Sequence, residues 1–390
     1  VSADLVTIGF VIGQLTRGGA ERQLYELVRG LDPRRFRSVV YCLSEHTSPY
    51  GEELQALDVP LRVLPRGRNY EWGRVRALAR MFRQDGVTIV HAFLFQANPY
   101  AWLAARLAGV PRLITSARNT KTIGFLRDVA NRFAFRASDA ILCNGEAVRD
   151  YIARVYGAPT ERCVVVRNGV DLERFAPDPG PAAGRHGPEV IGIGRLVPNK
   201  DFELFIDAAA LLVRRHPGTT FTIVGDGPLR AALQRRAADA GLADALRFLG
   251  ARDDIPDLLR QADVLWSTSA WEGLPNVVLE AAASGLPVVA RDVGATREVV
   301  QHGRNGFLIG ERDPEPFAAC TGRLLSDPAA ARTMGLEGRR LVAEAFSLDR
   351  LAKTSEELYR AVLERRRGAN GASRRASTRR LARTGKEISG

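Results

Sequence analysis

At 390 residues, with 45% hydrophobic and 26% charged content, the chain is too long for one ordinary core and suits two α/β-sized globular domains rather than a disordered or fibrous polymer. No run approaches the roughly 18 apolar residues of a membrane span, and the opening VSADLVTIGFVIG lacks a basic leader and reads as a first strand. A net charge of +12 calls for an acidic partner or surface; Cys42, Cys143, Cys163 and Cys320 are isolated, without CxxC or zinc spacing, as expected of free thiols in a reducing cytosol.

Short apolar strands alternate with amphipathic helices from the start. LVTIGFVIG (5–13), RSVVYCL, LRVLP, TIVHAF, RLITSA and AILCNG read as six buried strands of a mostly parallel, doubly wound sheet, whose ligands belong at the strands' carboxyl ends. Gly18 and Gly19 follow the first strand and let backbone approach an anionic group at a helix start, although this is not GxGxxG. His91 closes the fourth strand, where a neutral imidazole suits a sugar hydroxyl or a developing charge; a strand-end histidine of no function is commoner. Arg118 and Asn119 follow the fifth strand and Asn144 to Glu146 the sixth, placed either to contact an acceptor or to cap helices. Two stretches, 66–83 and 118–136, mix arginines with aromatics. Arg74, Arg76, Arg80 and Arg83 with Trp72 and Phe82 fit an interfacial helix near anionic lipid or an ordinary cover helix.

After strand VVV (164–166) comes APDPGPAAGRHGP (176–188), the best linker in the chain, and a second α/β series follows it. VIGIG (190–194) delivers Arg195 and Lys200 into the loop before a helix at Phe202 to Arg215. TFTIVG, LRFLG, DVLWST and PVVAR continue the strands. Between the last two lies WEGLPNVVLEAAASG (271–285), with Glu272 in the loop before a helix, Glu280 in its second turn, and Pro275 suited to its first position. The amides of the helix start, roughly Leu274 to Val277 and so across Leu274, Pro275 and Asn276, offer an anion site, and two cations at a neighbouring strand end would neutralise a diphosphate. Asp253 and Asp254 look like helix caps rather than a DxD metal pair, so metal dependence is not indicated.

The order GGAER (18–22), NGVD (168–171), GIGRLVPNKD (192–201), IVGDGPL (223–229), FLG (248–250), ADV (262–264) and EGLPNVVLEAAASGLPVVA (272–290) resembles the retaining nucleotide-sugar glycosyltransferases of family 4, which have the GT-B fold. The likeness reaches to about residue 365 and is densest in the second half. It implies that Arg195 and Lys200 bind the donor diphosphate, that Glu280 holds the ribose, and that Glu272 stands beside the transferred sugar. It also implies that Gly19 lies near the diphosphate and His91 near the sugar, with Arg252 and Ile255 meeting the base. Two positions depart from the pattern. Asp201 replaces a frequent glycine, and VGATRE (293–298) has Ala295 where a second glycine is common, while keeping Gly294 and Glu298.

The fold class implied is α/β with GT-B architecture: two doubly wound Rossmann-like domains facing across a cleft that closes over the donor. Residues 1–175 form the acceptor-binding domain, 176–188 the linker, and 189–345 the nucleotide-sugar domain. A helix at 346–366 crosses back onto the first domain, and the Arg-rich segment 367–390 is a disordered basic tail. The implied reaction moves a sugar from a nucleoside-diphosphate donor, a UDP-sugar, to a glycan or lipid-linked hydroxyl with retention. No cofactor or metal enters it, and the enzyme is cytoplasmic or peripheral on the cytoplasmic face of an anionic membrane. The alternatives are a nonhydrolysing sugar-nucleotide epimerase and a non-catalytic nucleotide-binding scaffold at the membrane. A specific nucleic-acid partner is disfavoured because the tail lacks interleaved aromatics.

Overall fold

The computed structural model describes residues 5–64, 71–122, 124–177 and 187–364. The linker expected at 176–188 lies largely, and the basic tail wholly, outside the described residues. The chain divides into two compact units: residues up to Gly169 together with those from Leu348 onward, and Val170–Ser347. The division precedes the boundary read at 175 because Val170 donates its amide to the Phe346 carbonyl at 2.8 Å and Arg339 reaches the carbonyls of Leu172 and Phe175 at 3.3 and 3.0 Å, tying this segment to the second unit.

The first unit runs β1 (Val6–Ile12), α1 (Gly19–Gly30), β2 (Phe36–Cys42), α2 (Tyr50–Gln55), β3 (Leu61–Val63), α3 (Glu71–Gln84) and β4 (Ile89–Ala92). It continues with α4 (Asn98–Ala108), β5 (Arg112–Ala117), α5 (Phe125–Ala137), β6 (Ala140–Cys143), α6 (Glu146–Tyr156) and β7 (Cys163–Val165). The seven strands pair in parallel in the order β3-β2-β1-β4-β5-β6-β7. Strands buried on both faces explain the unbroken apolar runs in the sequence.

The second unit follows with β8 (Glu189–Ile193), α7 (Phe202–Arg215), β9 (Thr220–Val224), α8 (Arg230–Asp239), β10 (Leu246–Gly250) and α9 (Ile255–Gln261). Then come β11 (Val264–Ser267), α10 (Asn276–Ala283), β12 (Val288–Arg291), β13 (Gly306–Ile309), α11 (Pro314–Ser326) and α12 (Pro328–Ala345). Its six parallel strands run β10-β9-β8-β11-β12-β13. The core centres on Trp266, fully ringed by Phe205, Phe221 and Phe317 with centroids 5.0, 5.9 and 5.7 Å away, and its indole donates to Thr321 Oγ1 at 2.7 Å. Truncating such a residue costs about 3–5 kcal/mol.

The last helix, α13 (Leu348–Glu364), belongs to the first unit. Leu351, Leu358, Tyr359 and Val362, spaced for one helical face, join the core formed with Ile8, Phe10, Leu24 and Leu27 of β1 and α1.

Candidate active site

In the second unit the loops leaving β8, β9, β11 and β12 are stitched together at the strands' carboxyl ends. Gly194 and Leu196 donate to Val224 and Asp226 carbonyls, each at 2.9 Å, and Leu229 donates back to Leu196 at 3.1 Å. Gly225 makes this interlock possible: its φ is +135°, and a Cβ there would lie 1.9 Å from the Gly194 oxygen. Thr268 Oγ1 donates to the Lys200 carbonyl at 2.9 Å and the Ala270 amide to Asn199 at 2.8 Å, which fixes the loop after β8 against the loop after β11.

These contacts bring Lys200 and Glu272 together. The ammonium is 2.5 Å from Glu272 Oε1, which also accepts from Ser269 Oγ at 2.8 Å, and both charged side chains are mostly shielded, 20% and 16% exposed. The Lys200 stem lies across Gly194, where a Cβ would come 3.2 Å from Cδ and Cε. Arg195 follows that glycine and is exposed, its guanidinium making no hydrogen bond or ion pair among the described residues.

Glu272 leads through Leu274 and Pro275 into α10. Pro275 sits just before the helix rather than at its first residue, and no side chain caps the start. The first-turn amides and the positive end of the helix dipole there favour an anion. Glu280 is buried on α10, about 6 Å along the axis from Asn276 at 1.5 Å per residue.

Both departures from the family pattern have physical explanations. Asp201 has φ +47° and ψ 50°, the left-handed region that explains a glycine there; its carboxylate accepts from Leu204 N at 3.4 Å and is held by Arg312 at 2.7 and 2.9 Å. Gly294 has φ +56°, and a Cβ there would lie 2.2 Å from the Glu272 carbonyl oxygen and 2.6 Å from that of Gly273. The following residue needs no such space: Ala295 donates its amide to Gly273 at 2.7 Å.

Arg252 is turned onto Asp254, at 2.8 and 2.5 Å, immediately before Ile255 begins α9. Asp254 therefore does not cap that helix with its side chain, contrary to the cap expected of it. A depression of about 670 Å³ opens at the opposite edge of the sheet, near Pro188, Asp263 and Pro287 before β8, β11 and β12, away from Lys200 and Glu272. No group of three or more metal-ligating side chains gathers among the described residues.

In the first unit Gly19 is the first residue of α1, and at Gly18 a Cβ would collide with the Glu21 carboxylate at 2.2 Å. His91 lies deeper than an open strand end. Its imidazole is wholly buried, with Nδ1 2.9 Å from the Tyr359 hydroxyl and Nε2 3.0 Å from Ser116 Oγ. Burial and then the nearby Arg118 charge push its pKa well below the ordinary histidine value. Both ring nitrogens are thus engaged inside the core, where they fasten α13 to the sheet.

The basic-aromatic stretch on α3 also reads differently in three dimensions. Phe82 is a core residue, and Arg74 donates to the carbonyls of Leu43 and Leu64. Arg76, Arg80 and Trp72 remain exposed. Ser269 and Arg312, which organise Glu272 and Asp201, were not singled out in the sequence; a hydroxyl three residues before Glu272 was the available signal for the first, and none existed for Arg312, 111 residues from its partner.

Two parallel-sheet α/β units with ligand-compatible groups at the strand ends define the class: this is the GT-B fold of glycosyltransferases. Anabaena HepE, solved in complex with UDP and glucose, shares it with a TM-score of 0.79 at 23% identity, covering 90% of this chain and 99% of that one. The family model "Glycosyltransferase Family 4" matches residues 17–174 and "Glycosyl transferases group 1" matches 187–327. A Mycobacterium tuberculosis GDP-mannose-dependent alpha-(1-6)-phosphatidylinositol monomannoside mannosyltransferase is 33% identical over 285 residues, 68% of this chain and 74% of the relative. An Escherichia coli UDP-Gal:alpha-D-GlcNAc-diphosphoundecaprenol alpha-1,3-galactosyltransferase is 28% identical over 304 residues, 73% of this chain and 78% of the relative. The chain belongs to glycosyltransferase family 4.

Proposed function

We propose that this glycosyltransferase moves a hexose from a nucleoside-diphosphate donor, a UDP-sugar, to a hydroxyl of a glycan or lipid-linked acceptor with retention of anomeric configuration. The observation that carries the reading is the Lys200–Glu272 pair beside Arg195 and the uncapped start of α10. Arg195, Lys200 and the first-turn amides of α10 receive the diphosphate, whose charge grows as the bond from phosphate oxygen to the anomeric carbon breaks. The phosphate competes for the Lys200 ammonium and frees Glu272 to accept from a sugar hydroxyl, while Glu280 accepts from the ribose. The acceptor oxygen bonds to the anomeric carbon on the face the diphosphate leaves, and its proton passes to a leaving-group oxygen. Leu274, Pro275 and Asn276 line the diphosphate, and Arg252 and Ile255 adjoin the base.

The test is transfer from UDP-glucose, UDP-galactose and GDP-mannose to an acceptor extract, with product configuration followed by proton NMR. The α-linked donor is expected to give an α-linked product. An inverted product contradicts retention, and an epimerised nucleotide sugar formed without acceptor identifies the epimerase instead.

The same reading has the enzyme working peripherally on the cytoplasmic face of an anionic membrane. Phe125 and Leu126 at the start of α5 are each 80% exposed, and Arg127, Arg132 and Arg136 on that helix are exposed as well, a combination suited to lipid headgroups. Among the described residues no helix is long and apolar enough to cross a membrane. The lipid portions named for the acceptors of the E. coli and M. tuberculosis relatives support a lipid-linked acceptor here. Flotation with phosphatidylglycerol liposomes that is lost in high salt is expected; no flotation in low salt contradicts it.

A further inference from the structure

Arg118 leaves the carboxyl end of β5 and is buried, 7% exposed. Its Nη1 donates to Asn168 Oδ1 at 3.0 Å and its guanidinium lies over the Phe93 ring at 4.5 Å, but Nε and Nη2 have no hydrogen-bond partner among the described residues. No carboxylate pairs with it among the described residues. Burial pulls its pKa down to about 10, and the side chains that act against this are the Tyr359 phenol and the Cys143 thiol. A buried cation with two unmade hydrogen bonds is unfavourable unless something anionic completes it.

Two further buried oxygens lie on the same edge. Ala117 of β5 pairs with Cys143 of β6, so the next residues, Arg118 and Asn144, leave adjacent strands side by side. The Oδ1 atoms of Asn144 and of Asn119 are buried without a hydrogen-bond partner among the described residues. This edge carries the strands' carboxyl ends, where ligands of open parallel sheets bind. Donors of fixed positive charge beside neutral acceptors suit a molecule that presents both an anionic group and hydroxyls.

We propose that Arg118, with Asn144 and Asn119, forms a binding site in the first unit for the anionic group of a hydroxyl-bearing acceptor, a phosphate or carboxylate attached to a polyol. Arg118 takes the anion through Nε and Nη2, and the asparagine oxygens accept from hydroxyls. The inference rests on the transferase reading, in which the first unit holds the acceptor, and assigns that acceptor a negative charge.

The test uses the full chain carrying Arg195→Ala and Lys200→Ala, so that phosphate probes do not report on the donor site, and reads melting temperature against inorganic phosphate, glucose 6-phosphate and glucose. Glucose 6-phosphate is expected to raise the melting temperature by several degrees at millimolar concentration, with glucose giving no shift. Arg118→Met in that background abolishes the shift without lowering the ligand-free melting temperature, which a purely structural arginine would lower. Asn144→Asp, which sets a carboxylate beside Arg118, also abolishes the shift and raises the ligand-free value; it decides the matter if Arg118→Met fails to fold. Phosphatidylinositol vesicles set against phosphatidylcholine vesicles distinguish a lipid headgroup from a soluble phosphate. A shift retained by Arg118→Met, or no response of the parent to any phosphate probe, soluble or vesicular, overturns the proposal. Sugar-nucleotide binding by the unaltered enzyme is measured separately, so failure here leaves the donor reading standing.

Discussion

The Lys200 ammonium and Glu272 Oε1 stand 2.5 Å apart although 72 residues separate them in sequence, and Ser269 Oγ shares the same oxygen. The pairing holds the cation at the strand end and leaves an anionic substrate to displace the carboxylate. Lys200→Ala is expected to lower kcat by about 100-fold or more, the scale of removing one charge stabiliser from a transition state, while the melting temperature stays within a few degrees of wild type. Near-normal turnover by this variant contradicts its role at the diphosphate.

Gly294 supplies a geometric control on Glu272 that leaves its carboxylate in place. With φ +56° and a gap too small for a methyl group against the Glu272 carbonyl, Gly294→Ala is expected to cost about 1–3 kcal/mol and to raise the donor KM by shifting the 272–273 backbone. Urea midpoints and donor saturation curves check both effects; unchanged values would mean that the loop is not held as described.

At Asp201 the left-handed backbone sets glycine and alanine against each other. Asp201→Gly loses the contacts to Arg312 and Leu204 N but relieves the conformation, whereas Asp201→Ala loses the contacts and keeps the strain. The alanine variant is expected to be less stable than the glycine variant by about 1 kcal/mol in denaturant unfolding, and the reverse order would contradict the explanation.

Much of the second unit was legible because its signals are local. The helix Phe202–Arg215 and the strand LRFLG coincide with α7 and β10, and the glycine and proline punctuation around Glu272 marks the loop and start of α10. β13 and α11 were not read, although Gly303, Gly306 and Gly310 punctuate the first and Asp313 with Pro314 opens the second. What stayed open concerns burial. Position at a strand end showed that His91 and Arg118 share an edge of the sheet, but the fate of each side chain depends on Tyr359, more than 240 residues away, and on which aromatics fill the space between. For Phe82 the sequence left an interfacial and a cover helix equally open, and the choice is made only when β2 brings Tyr41 against it, with ring centroids 4.9 Å apart.

The buried imidazole predicts a pH dependence of stability. His91 is held neutral below its ordinary pKa, so in acid the unfolded chain binds a proton that the folded one refuses, and stability falls as pH drops through about 6.5 toward the depressed folded value. Within that window the slope approaches about 1.4 kcal/mol per pH unit. His91→Asn removes this slope and costs about 1–3 kcal/mol at pH 7.5 by disrupting the bonds to Tyr359 and Ser116. Urea midpoints at pH 5, 6 and 7 test it. A fully stable variant that loses transfer would instead return His91 to the reaction.

Calorimetric titration of the full chain with UDP-sugars and GDP-sugars, repeated on Arg195→Ala and Lys200→Ala, tests the donor assignment most directly. One nucleotide sugar is expected to bind the wild type with micromolar affinity, and each variant is expected to weaken it tenfold or more, about 1.4 kcal/mol. Equal affinity in wild type and both variants, or no binding of any nucleotide sugar, would contradict the assignment.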